Sequence, residues 1–95
     1  MRVYISGKIT GTTDYMQRFS AAERKLKARG LSVVNPAKVN GMMPDDMTWE
    51  EYMKMSFCML ELCDAIYMLP GWEDSTGAIL EHHRAVKNDM IIFNE

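Results

Sequence analysis

Residues 63–82 read CDAIYMLPGWEDSTGAILEH, and this stretch decides the fold. Ala65 to Leu69 is a short, mostly apolar run of strand length, and Pro70-Gly71 ends it, because proline removes a backbone donor and glycine tolerates a tight turn. Ser75 or Asp74 then caps a helix predicted to run to about Lys87. Strand, break and helix in such short order are half of a β-α-β unit. Downstream, Met90 to Phe93 supplies the next strand.

The same pattern repeats upstream. Arg2 to Ser6 is a β-branched and aromatic run that enters the glycine-bearing loop Gly7-Lys8-Ile9-Thr10-Gly11. Tyr15, Phe19, Ala22 and Leu26 recur at helical spacing between Asp14 and Arg29, with Thr12 or Thr13 as N-cap candidates and Gly30 as the stop. Leu31 to Val34 is a second strand, closed by Asn35-Pro36. A long loop is expected from there to Met47. Thr48 with Glu51 three residues on forms a capping box, which starts a helix carrying Trp49, Tyr52, Met53, Leu60 and Cys63 on one face.

Four strands alternating with three helices predict an α/β fold: a four-stranded parallel sheet of order 2-1-3-4 with helices on both faces. The crevice of such a sheet opens at the carboxyl ends of its strands, where the order reverses between strands one and three. The loops that matter are therefore 7–13 and 70–75, with the helix start that follows.

The chain of 95 residues fits one domain, taken as residues 1–95. A chain of this size buries only about 60–65% of its unfolded surface, so its core is thin. Between Tyr52 and Cys63, nine of twelve residues are apolar, the exceptions being Lys54, Ser56 and Glu61. A helix lying on one sheet face needs a single apolar stripe, so the surplus predicts a homodimer or higher homo-oligomer through this helix. Met53, Met55 and Met59, among ten methionines, read as adaptable packing there.

Net charge is -2 and the pI is near 5.6, with Lys and Arg scattered, which disfavours a nucleic-acid polymer as partner. No segment reaches the roughly 20 apolar residues of a membrane span, and the first residues lack the long apolar core of a signal peptide. Cys58 and Cys63 form no framework of spacings. A reduced, cytoplasmic protein is expected.

The loop Gly7 to Gly11 allows backbone N–H groups to approach an anionic or sugar ligand, or it is simply a turn. It is neither GxGxxG nor a P-loop, so dinucleotide and ATPase readings fail, and no cofactor is expected. Ser75 stands at a helix N-terminus, where free N–H groups favour an anion such as a phosphate. Glu81 lies two turns in. Its helical neighbours include Gly77, Ala78 and Ala85, which leaves a gap beside the carboxylate. From spacing alone, a surface pair with Arg84 is the plainer reading. Asp64, at the amino end of strand three, reads as structural. Tyr4 lies inside strand one, where its hydroxyl needs a partner if buried. His82 and His83 point apart, and no metal site is expected. Trp49, Trp72 and Tyr67 offer faces on which a base would stack, with packing the plainer role for each.

Taken together, YISGKITG at 4–11, NPA at 35–37, WEEYM at 49–53 and the whole of 63–82 resemble one family end to end. It is the small bacterial and phage domain related to nucleoside 2-deoxyribosyltransferases and to the 2'-deoxynucleoside 5'-monophosphate N-glycosidase. The resemblance implies a flavodoxin-like, three-layer fold. It implies an N-glycosidase or deoxyribosyltransferase acting on (deoxy)nucleosides or their 5'-monophosphates, in which Glu81 attacks C1' and forms a glycosyl-enzyme ester. Tyr4 matches the tyrosine that orients the glutamate. Ser75 matches the residue at the 5' end, with Gly77 on the same helix start. Ser6, Gly7, Ile9 and Gly11 match the loop that wraps base and sugar. Lys8 replaces a proline common in the small family and brings a charge suited to a phosphate. In the related enzymes a neighbouring subunit closes the pocket.

One position departs from the pattern. The relatives usually carry an aspartate in the second helix that helps protonate or hold the leaving base, and this chain has Ser56 there. Either Asp45, Asp46 or Asp74 substitutes, or catalysis is slow, or the fold is a nucleotide-binding module without turnover.

Overall fold

A computed structural model describes residues 1–95. The elements in chain order are β1 (Arg2–Ser6), α1 (Tyr15–Ala28), β2 (Ser32–Val34), α2 (Pro36–Asn40), α3 (Trp49–Glu61), β3 (Ala65–Met68), a single 3-10 turn (Trp72–Asp74), α4 (Thr76–Lys87) and β4 (Ile91–Asn94). The strands form one parallel sheet in the order β2-β1-β3-β4. That is the predicted architecture and order.

Side chains alternate across the sheet, so the two halves of each strand build different cores. On one face Val3, Ile5, Ala65, Tyr67 and Leu69 meet Phe19, Ala22 and Leu26 of α1. On the other, Tyr4, Ile66 and Met68 meet Leu60 of α3 with Ala78 and Ala85 of α4. β1 and β3 lie at the centre with both faces covered, which is why each reads as a continuous apolar run.

Local chemistry sets the element ends. The capping box of α3 is complete: the Glu51 N–H donates to Thr48 Oγ1 at 3.1 Å and the Thr48 N–H donates to Glu51 Oε1 at 2.8 Å. Asp64 is structural, its carboxylate accepting from the Arg2 N–H at 2.8 Å at the amino edge of β1. No helix is long and apolar enough to cross a membrane.

Three details differ from the sequence expectations. Neither Thr12 nor Thr13 caps α1; Asp14 takes that position without a side-chain cap, and the Thr12 hydroxyl donates to the Ile9 carbonyl at 3.0 Å instead. The stretch after Pro36 is not all loop, because Asn35 and Pro36 both end β2 and begin the short helix α2: the Asn35 side chain accepts from the Ala37 N–H, and proline fits the first helical position. Ser75, not Asp74, caps α4, accepting from the Ala78 N–H at 3.2 Å, while Asp74 belongs to the preceding 3-10 turn.

Candidate functional site

The buried residues of α4 are Ala78, Glu81 and Ala85, a stripe at spacings of three and four that faces the sheet. Glu81 thus lies in the packed stripe, the small alanines on either side letting the helix approach the strands, and it also borders an open cleft together with Gly77 and Ala78. The surface pair with Arg84 does not form. Arg84 reaches Glu61 on α3 at 2.7 Å and lies over the Phe57 ring at 4.3 Å.

The sheet answers Glu81 with hydroxyls. Tyr4 and Ser6 are two apart on β1 and therefore share the face that looks at α4. Tyr4 OH donates to Glu81 Oε2 at 2.5 Å and Ser6 Oγ donates to Glu81 Oε1 at 2.6 Å. Each carboxylate oxygen is held by its own donor, and Ser56 of α3 adds a third hydroxyl beside Glu81 and Tyr4. Glu81 is 6% exposed and Ser6 1%. Burial raises the carboxyl above its ordinary pKa of 4.5, against the pull of the Ser6, Tyr4 and Ser56 hydroxyls. Burial and the facing carboxylate push the Tyr4 phenol well above 10.0.

Above this carboxylate opens a cleft of about 600 Å³ at the carboxyl ends of β1 and β3. Glu81 and Ser56 lie in its lining, as do Met53, Tyr52 and Trp49 of α3, Tyr15 of α1 and Asn40 of α2. The first loop contributes Gly7, Lys8, Ile9 and Thr10, and the start of α4 contributes Ser75, Thr76, Gly77 and Ala78 with Asp74 just before it. Gly7 is required by close approach: a Cβ there would stand 2.9 Å from Leu69 Cδ1 and 3.0 Å from Leu69 Cβ. That contact lets the loop turn tightly over the end of β3. Gly77 faces Met53, with 3.3 Å from an added Cβ to the sulfur, so the α4 start and α3 nearly touch across the cleft.

Several residues singled out in the sequence lie elsewhere. Ser6 does not line the cleft; it lies beneath, holding Glu81. Gly11, at φ 80°, serves the turn into α1 and is outside the lining. Trp72 stacks on His82 with ring centroids 4.5 Å apart, and Tyr67 donates to Glu95 at 3.0 Å on the opposite face of the sheet, so neither offers a platform to the cleft. Asp45 and Asp46 are exposed and do not reach it, which leaves Asp74 as the one of the three aspartates at the site.

Asn40, Tyr15 and Tyr52 have equal standing in the cleft and carry no sequence signal beyond their position. Asn40 is the most informative, because its Oδ1 is buried without a hydrogen-bond partner. It is brought there by α2, which is tied down at its start. Asn35 Nδ2 donates to Glu23 at 2.9 Å, and Glu23 also pairs with Lys27 at 2.6 Å and Lys38 at 3.0 Å. These partners hold the Glu23 carboxyl at about 2.

A solved structure of a 2-deoxyribosyltransferase from the psychrotolerant bacterium Bacillus psychrosaccharolyticus, described as a biocatalyst for nucleoside synthesis, has the same fold. The TM-score is 0.73 at 16% sequence identity, over 99% of this chain and 72% of that one. No curated protein matches the chain. Residues 1–94 match the family described as a domain of unknown function, DUF4406, and the chain belongs to that family.

Proposed function

We propose that the protein cleaves the N-glycosidic bond of nucleosides or their 5'-monophosphates, with Glu81 as the nucleophile. The observation that carries this reading is the buried carboxylate at the cleft floor, gripped oxygen by oxygen at 2.5 Å and 2.6 Å by hydroxyls from a neighbouring strand. Such a grip fixes the attacking atom, and fixed attack geometry is a major part of enzymatic rate enhancement. Glu81 attacks C1', the base leaves, and water or a second base then resolves the glycosyl ester, the double displacement of a retaining glycosidase. Tyr4 and Ser6 position the nucleophile from below and do not touch the ligand.

The remaining cleft divides by chemistry. Ser75, Thr76 and Gly77 at the N-terminus of α4, with Lys8 opposite, suit a 5'-phosphate. Trp49, Tyr52 and Tyr15 suit the flat face of a base, and the Asn40 carboxamide suits its edge. The fold shared with a 2-deoxyribosyltransferase supports a nucleoside ligand.

The test is a panel of nucleosides and 5'-monophosphates, read by chromatography for liberated base. The wild type is expected to release base and Glu81→Gln to release none. Identical traces from both would remove the reading. A second reading, nucleotide binding without turnover, is favoured by Ser56, which provides no acid beside the nucleophile; a thermal shift with ligand but no release from the wild type would select it.

We propose further that the protein is cytoplasmic and a homodimer or higher homo-oligomer through α3. Trp49 is 45% exposed and Leu62 67% exposed, and Cys58 is exposed on the same helix, while Tyr52, Met55, Phe57 and Met59 are only half-buried. Tyr52 and Trp49 also line the cleft, so a second copy on this face would wall the site. Sedimentation as a monomer at micromolar concentration would remove the proposal.

A further inference from the structure

Breaking a glycosidic bond to a neutral base leaves that base as an anion unless an acid delivers a proton to it. The cleft lining contains two carboxyl groups, Glu81 and Asp74, and no histidine. Glu81 is the nucleophile of the reading above, on which this inference rests. Asp74 stands seven residues before it, in the 3-10 turn ahead of the Ser75 cap, and is not among the groups that hold Glu81. The other polar groups around Glu81 are the hydroxyls of Tyr4, Ser6 and Ser56, and a hydroxyl is a poor acid near neutral pH.

A second observation concerns charge. Glu81 is buried, yet no ion pair in the molecule involves it. A buried carboxylate without a cation is an expensive arrangement, and hydroxyl donors relieve it only in part. The rest of the lining offers Trp49, Tyr52 and Tyr15, aromatic faces that attract cations as well as neutral rings.

We infer that the preferred substrate is an N-glycoside whose base is already cationic, a pyridinium nucleotide of the nicotinamide type. Its ring carries the positive charge that the carboxylate lacks, and it needs no acid to depart. The Glu81 carboxylate forms a bond to C1' while the bond from C1' to the ring nitrogen breaks. The bonding pair goes to that nitrogen, and the ring leaves as a neutral pyridine. Water then attacks C1', the ester bond returns its pair to Glu81, and one proton passes to solvent.

The experiment compares kcat/KM for base release from matched 5'-mononucleotides carrying nicotinamide, adenine or cytosine, on both ribose and 2'-deoxyribose. A general acid is worth about 10²- to 10⁴-fold, so nicotinamide release is expected to exceed that of either neutral base by about 100-fold. Ser56→Asp, which returns a carboxyl to the site, is expected to raise neutral-base release about tenfold without raising nicotinamide release. If Ser56→Asp does not fold, the wild-type comparison decides alone. A Glu81-dependent advantage for nicotinamide of less than tenfold, or none, overturns the inference and leaves the glycosidase reading standing. Release of no base from any of the nucleotides overturns both.

Discussion

Replacing Glu81 by glutamine is expected to make the protein more stable at neutral pH, while abolishing base release. The carboxylate is 6% exposed. Taking a carboxylate out of water costs several kcal/mol, and each hydrogen bond to a charged group returns about 1.5–3 kcal/mol. Burial is the larger effect, because it lifts the carboxyl above its ordinary value of 4.5 despite the hydroxyls of Ser6, Tyr4 and Ser56. A carboxyl whose pKa is higher in the folded state stabilises the fold below the unfolded value and loses that contribution as pH rises through the folded value. Ionised Glu81 therefore opposes folding at neutral pH. Glutamine keeps the volume and removes the charge; its carbonyl accepts from one hydroxyl, and its amide donates to another that rotates. The gain expected at pH 7.5 is about 1 kcal/mol, or roughly 4–8 °C in Tm for a domain of this size. It should vanish below about pH 3.5, where wild-type Glu81 is protonated in both states. Thermal unfolding followed by circular dichroism between those pH values measures it. A glutamine variant less stable than wild type at pH 7.5, or a gain that does not change with pH, would refute the reasoning.

Tyr4→Phe removes the 2.5 Å donor and should move the Glu81 carboxyl further up, read by carbon NMR of labelled glutamate, with base release falling at least tenfold. Glu23 behaves oppositely to Glu81. Its carboxyl is held at about 2, so it stabilises the fold above about pH 4.5, and that contribution is lost as pH falls toward 2. Glu23→Gln should remove up to about 3 kcal/mol at pH 7 and flatten the acid limb of a stability profile, the exposed ends of Lys27 and Lys38 keeping the effect below that ceiling. An unchanged acid limb would show that the network is not anchored there. Gly7→Ala places a methyl group 2.9 Å from Leu69 Cδ1, and a loss of about 1–3 kcal/mol by urea unfolding is expected; a neutral result would mean that the loop gives way freely.

The fold was legible because each element carries a signal at its own period. β1 and β3 are buried on both faces and read as short unbroken apolar runs, and the Thr48 to Glu51 box marks its helix start without reference to anything distant. α2 was not legible because Asn35-Pro36 means two things at once, the end of a strand and the start of a helix, and a five-residue helix has no periodicity to decide between them. Glu81 shows the limit more sharply. Its position three from Ala78 and four from Ala85 marks a sheet-facing stripe, but a glutamate there becomes intelligible only once the facing strand supplies Tyr4 and Ser6. Ser6 was assigned to the loop it adjoins, whereas strand alternation turns its side chain beneath the cleft floor. Asn40 lay in the stretch read as loop, and its role depends on where α2 is pinned by Glu23, which no local pattern reveals.

The two bonds that grip Glu81 join residues 77 and 75 positions apart in the chain. β1 itself pairs with β2 and β3, so the first strand made is flanked only when the third has arrived, and its hydroxyls meet their glutamate later still. Non-local pairings of this kind slow folding, because loop closure must precede the contacts that reward it. During synthesis, Tyr4 and Ser6 therefore wait without their partner until α4 has left the ribosome. A chain interrupted anywhere before residue 81 leaves these two buried hydroxyls without the carboxylate that both of them hold in the finished fold.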